Sequence, residues 1–143
     1  DGVVDLVMLD HEGYLAFWEG AERDGKRIVL PPRRAFVDQS GTPIRLSAGS
    51  AGKSGRRKLC AVDWDGDGML DLLLNSANAT FLQQIEKRGD MWVMQDRGPL
   101  AQRNIEGHDV SPTTVDFDGN GIPDFLGGAE DGRFYFLKNP RAP

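Results

Sequence analysis

Carboxylates set two apart are the part of this sequence that can do chemistry. Residues 63–71 read DWDGDGMLD, with acidic side chains at positions one, three, five and nine and Gly68 at position six. A hard divalent cation needs six to eight oxygens, and a chain wrapped tightly around it needs a residue without Cβ at the sharpest turn. Asp63, Asp65, Asp67 and Asp71, with the carbonyl of Met69, supply most of such a shell, and calcium suits an all-oxygen donor set. Residues 116–124 repeat the pattern as DFDGNGIPD, with Asn120 at position five and Gly121 at six. The chain opens on DGVVD, the second half of the same grid, with Asp1 at five, Gly2 at six and Asp5 at nine. Three copies of one device in a chain this short predict a repeat architecture.

The elements that position these loops are short. After Asp5, Asp71 and Asp124 come LVML, LLLN and FLGG, apolar runs of strand length, each ending at turn residues. The first six positions resemble an EF-hand, yet the closing acid stands at nine instead of twelve and no helical pattern follows. Each loop is therefore expected to join strand to strand. The chain reads as about ten strands: 3–9, 14–19 and 28–30; 58–64, the run after Asp71, 80–85 and 91–94; 111–117, the run after Asp124, and 134–138. DHEG at 10–13, NSANA at 75–79 and EDGR at 130–133 are read as turns, residues 31–32 as a proline stop, 33–38 and 42–46 as extended pieces, and 95–110 as a long connection.

Composition agrees with an all-β chain. Eighteen glycines in 143 residues accompany few helix-length apolar patterns. A net charge of −5 gives no general attraction to nucleic acid. The single Cys60, between Leu59 and Ala61, allows no internal disulfide and is read as a core thiol. No run is long enough to span a membrane, and no signal peptide is visible; the chain starts inside a motif, so residues are expected to precede it. Gly52-Lys53-Ser54 invites a phosphate-loop reading, which fails because Ser47 stands where the loop needs glycine and no helix pattern follows. Residues 78–80, NAT, form a glycosylation sequon that matters only in a eukaryotic secretory setting.

The segments VDWDGDGMLDLL and VDFDGNGIPDFLGGAEDGRFYFL resemble FG-GAP or VCBS repeats, the blades of integrin-α-like calcium-binding β-propellers. The resemblance covers essentially the whole chain, strongly in the last two units and weakly between about 20 and 57, and repeats near 53–66 residues with four strands suit propeller blades. It implies blades of four antiparallel strands with calcium loops between strands 1 and 2, in a partial propeller of about three blades, approximately 1–46, 47–98 and 99–143, within one domain spanning 1–143. It also implies that Asp63, Asp65, Asp67, Met69 and Asp71 bind one calcium and that Asp116, Asp118, Asn120, Ile122 and Asp124 bind another. Asp1 and Asp5 form half a site. The setting implied is secreted, cell-surface or periplasmic, and the remaining blades are supplied by a longer chain or by other copies.

The rim opposite the ion loops is the ligand face in such folds. One set of turns brings His11, Asn75, Asn78, Glu130 and Asp131 there, and the other brings Lys53, Arg56, Arg57, Lys58, Arg103, Asn104 and His108. A basic cluster on an acidic protein suits an anionic polysaccharide, and a protein ligand is the other partner class. Lys53, Arg56, Arg57 and Arg103 are the candidate ligand-binding residues. Histidine beside arginine also suits β-elimination in a polysaccharide lyase acting on uronate-containing glycans, with His108 and His11 as candidate catalytic groups. The same residues also read simply as solvated loops. Trp18, Phe81, Trp92, Phe134 and Phe136 are expected mostly in packing between blades.

Overall fold

The computed structural model describes residues 2–47, 57–76, 79–102, 105 and 110–141. Among them every regular element is a strand, no sheet closes on itself, and no helix is long and apolar enough to cross a membrane. The chain is all-β. Contacts divide it into two compact units, residues 1–57 with 86–94, and residues 58–85 with 95–143.

In the first unit, β1 (Leu6–Leu9) and β2 (Leu15–Trp18) form an antiparallel hairpin with Leu6 opposite Trp18. Asp10 makes its turn: Oδ1 accepts the N–H groups of Glu12 and Tyr14 at 2.9 and 3.0 Å, while Gly13 takes φ +89°. A second hairpin joins β3 (Gly20–Arg23) to β4 (Lys26–Val29) through Asp24 and Gly25, both at positive φ as a type I′ turn requires. The sequence reading places no strand between 14–19 and 28–30, so β3 is an addition to it. The outer edge of β2 is taken by extended chain, since Leu15 N–H donates to Ile44 and Phe17 exchanges hydrogen bonds with Arg33. The short β5 (Phe36–Val37) runs parallel to residues 92–93 of a later strand. Trp92 there stacks on Phe36 at 5.0 Å and meets Phe17 edge-on at 4.9 Å, with the Arg33 guanidinium 5.2 Å from its ring.

In the second unit, β6 (Leu59–Val62), β7 (Asp71–Leu74) and the start of β8 (Thr80–Arg88) are consecutive antiparallel neighbours. The strand β9 (Met91–Pro99) returns beside β8. It runs five residues further than the sequence reading allowed, so the expected connection at 95–110 begins as strand. A three-stranded sheet follows, β10 (Ser111–Val115), β11 (Asp124–Gly128) and β12 (Phe134–Leu137), all antiparallel. Both aspartate loops therefore connect antiparallel neighbours, β6 to β7 and β10 to β11. Trp64, Leu73, Ala79, Ala101, Ile105, Val110 and Phe125 make one buried cluster, with Cys60, Phe81, Tyr135 and Leu137 packed against it. Leu73 of β7 and Phe125 of β11 both belong to it. Side chains crowd Gly127, where a Cβ would lie 2.2 Å from Val110 Cγ1 and 2.7 Å from the Phe125 ring.

Strand alternation does not bury all the aromatics assigned to packing. Phe134 is 79% exposed and Phe136 43% exposed, because β12 turns Tyr135 and Leu137 toward the core and these two away from it.

Candidate metal centre

The loop between β6 and β7 is wound by its own carboxylates. Asp63 accepts the N–H of Gly66 at 2.7 Å on one oxygen and of Gly68 at 3.1 Å on the other. Asp65 accepts from Asp67 at 3.2 Å, and Asp67 from Met69 at 2.8 Å. Gly66 and Gly68 take φ +81° and +87°, the left-handed conformation these turns demand. These bonds wind the backbone around the carboxylates, although Asp67 is not among the side chains that converge.

Asp71 closes the loop from the first position of β7 and is fully buried. Its Oδ1 accepts the N–H of Gln84 at 2.8 Å and its Oδ2 that of Trp64 at 2.9 Å, which clamps the loop entrance to its exit and to the next strand. Burial pushes the Asp71 carboxyl above the usual carboxylate range; the two N–H donors oppose this, and the charge of Asp65 adds to it. Gln83 Nε2 donates to Asp65 Oδ2, and Gln83 Oε1 in turn accepts from Arg97 Nε at 2.5 Å. Oxygens of Asp63, Asp65 and Asp71 lie within 4.8 Å of one another. Three carboxylates at that separation repel, and a divalent cation is the species that turns the repulsion into binding.

The loop between β10 and β11 is wound the same way. Asp116 accepts from Asn120 and Gly121, both at 2.9 Å, and Asn120 Oδ1 accepts from Ile122 at 2.8 Å. Asp124, again fully buried at the start of its strand, accepts the N–H of Asn139 at 2.8 Å on Oδ1. Its Oδ2 is buried without a hydrogen-bond partner. An ionisable oxygen left so is costly unless a cation or proton attends it. Asp118 pairs with Lys138 at 3.6 Å, and Asp116, Asp118 and Asp124 do not converge as the first three do.

One contact recurs in all three places where the sequence shows the grid. Asp5 accepts the N–H of Gly20 at 2.8 Å, as Asp71 does from Gln84 and Asp124 from Asn139. At the first copy the donor is glycine because a Cβ there would lie 2.4 Å from the Val4 carbonyl oxygen. Asp1 lies outside the described residues.

Sequence reasoning missed Asn139, Arg141, Gln83 and Arg97. Asn139 is buried, and its Nδ2 donates to the carbonyls of Trp64 at 3.0 Å and Pro123 at 2.9 Å, joining the two loops through one amide. Arg141 Nη2 reaches the Asp63 carbonyl at 3.2 Å. The only local signal for any of them is an Asn-Pro pair just after a strand.

The candidate ligand face is brought together less fully. Lys53, Arg56, Arg103 and His108, with Asn78 and Asn104, lie outside the described residues. Arg57 is exposed, with Nε 3.3 Å from the Leu46 carbonyl. Asn75 is buried and exchanges bonds with the backbone of Lys58, so it holds a strand end. Asp131 fixes its turn by accepting from Arg133 N–H and the Tyr135 hydroxyl, which holds its carboxyl below the usual range. In the first unit His11 is exposed beside Asp10 and Glu12, both paired with Arg34, whose guanidinium lies 4.0 Å from the Tyr14 ring centre. No family model, curated protein or solved structure matches this chain.

Proposed function

We propose that the chain is a calcium-stabilised segment of FG-GAP/VCBS-type repeats from a β-propeller in a secreted or surface protein, presenting the end opposite its ion loops to a carbohydrate or protein ligand. The observation that carries the reading is the convergence of Asp63, Asp65 and Asp71 in a loop joining two antiparallel strands. The buried, unpartnered Oδ2 of Asp124 supports it independently. Asp63, Asp65, Asp67, the Met69 carbonyl and Asp71 would hold one ion. Asp116, Asp118, Asn120, the Ile122 carbonyl and Asp124 would hold the other. Bound calcium would neutralise the clustered charge and fasten the end of one strand to the beginning of the next.

That division of labour leaves the turn at 129–133 for recognition, one strand length from its loop, or ~15 Å at about 3.3 Å per residue. Glu130 and Arg133 are exposed there. Calorimetric titration with calcium, alongside thermal denaturation with and without chelator, tests the metal half: heat of binding and a calcium-dependent rise in melting temperature are expected. No heat and an unchanged melt overturn it. A glycan array read against a protein-partner capture then decides the ligand class.

A further inference from the structure

The recurring aspartate contact also aligns residues outside the two complete loops. Gln84 N–H closes on Asp71 and Asn139 N–H closes on Asp124, so the residues just before these donors, Gln83 and Lys138, hold the same place in the two copies. Both turn to the same target. Gln83 Nε2 donates to Asp65 and Lys138 Nζ lies 3.6 Å from Asp118, and each of those aspartates is the third residue of its loop. One position thus attends one loop carboxylate twice, with a neutral amide in the first copy and a cation in the second.

The difference has a chemical consequence. Arg97 carries only N–H donors on its guanidinium, so the Gln83 oxygen must face Arg97 Nε, at 2.5 Å, and the Gln83 amide nitrogen must face Asp65. A neutral donor leaves Asp65 its full formal charge, and Asp65 converges with Asp63 and Asp71. An ammonium beside Asp118 instead offsets that carboxylate before any ion arrives. Lys138 does not serve the whole loop, because the buried Asp124 Oδ2 still lacks a hydrogen-bond partner.

We infer that Lys138 is a resident counter-cation of the second loop, displaced from Asp118 when a divalent ion binds, and that it holds the loop's affinity below what its ligands alone would give. The inference rests on the calcium reading above and adds to it a residue that grades the two sites. The side chains of Lys138 and Asp118 are 46% and 38% exposed, so the pair is weak enough to yield to a doubly charged ion.

The test is a calcium titration of the isotope-labelled chain followed by two-dimensional NMR. The amides of Gly68 and Gly121, which donate to Asp63 and Asp116, report the two loops separately. Lys138→Gln, checked for an unchanged thermal melt without calcium, is expected to lower the half-saturating calcium concentration at Gly121 about two- to fivefold, the scale of an exposed ion pair, and to move Gly68 much less. Lys138→Arg keeps the charge and is expected to titrate as the native chain does. In the reverse exchange, Gln83→Lys is expected to raise the half-saturating concentration at Gly68. An unchanged midpoint in either exchange, or Lys138→Arg behaving as Lys138→Gln does, overturns the inference and leaves the calcium reading intact. Amides that ignore calcium in the native chain and in every variant overturn both.

Discussion

The two aspartate loops share spacing, backbone turns and the buried acid at position nine, yet they are not equally finished. In the loop at 63–71 both oxygens of Asp71 are satisfied by backbone N–H groups, and three carboxylates converge. In the loop at 116–124 one oxygen of Asp124 has no partner, and Asp118 leans toward Lys138. The first loop is held by the protein's own backbone donors. The second leaves one buried carboxylate oxygen unpaired. A fold can thus carry one motif twice and finish its hydrogen bonding to different degrees.

Replacing the position-nine acid should separate them most. Without calcium, Asp71→Ala strands two N–H donors, those of Trp64 and Gln84, at about 1–3 kcal/mol each, whereas Asp124→Ala strands only that of Asn139. Chemical denaturation should show roughly twice the loss for Asp71→Ala, and equal losses would dissolve the distinction. Chelation comes next. Calcium affinity rises with the number of charged ligands, so calorimetry should find the first loop tighter, and Asn120→Asp should bring the second toward it. Asp65→Ala should weaken the first loop by at least about tenfold, the scale for losing a group that supports a metal.

The glycine at position six offers a control on which the loops should agree. Gly68 and Gly121 take φ +87° and +83°, and a Cβ at either meets no atom within 4 Å. Alanine at each should therefore cost the same ~1–2 kcal/mol of left-handed strain, measured by thermal melts. The smallest effect lies away from both loops. Burial works against the Asp10 carboxylate, but the Tyr14 N–H and the Arg34 guanidinium outweigh it, so its folded value falls below the ordinary 3.8. Hydrogen bonding and charge from Arg34 lower Glu12 likewise. A depressed acid contributes stability above its unfolded value and loses it as pH falls through the folded one. Arg34→Met should thus lower stability at neutral pH, and the gap should narrow below about pH 4, to what the stacking on Tyr14 contributes.

The loops were legible as turns because their pattern is local: carboxylate spacing, the left-handed glycines and strands on both sides all lie within about fifteen residues. Asp24-Gly25 was equally local and carried a strong hairpin signal, yet it was passed over because its flanks, GAER and KRIV, are too polar to read as strands. Asn139 was not legible at all, since its partner Trp64 lies 75 residues away. Alternation in FYFL announced two faces on β12 without saying which one meets a neighbour. Exposure at Phe134 comes from tertiary placement, which no local pattern encodes.

Asn139 also makes the two loops a mechanical pair. Its amide holds the carbonyl of Trp64 in one loop and of Pro123 in the other, while its own N–H rests on Asp124. Loosening either loop strains a bond on which its neighbour depends, so filling one should tighten the grip of the other. Asn139→Ala should leave two ions that no longer notice each other.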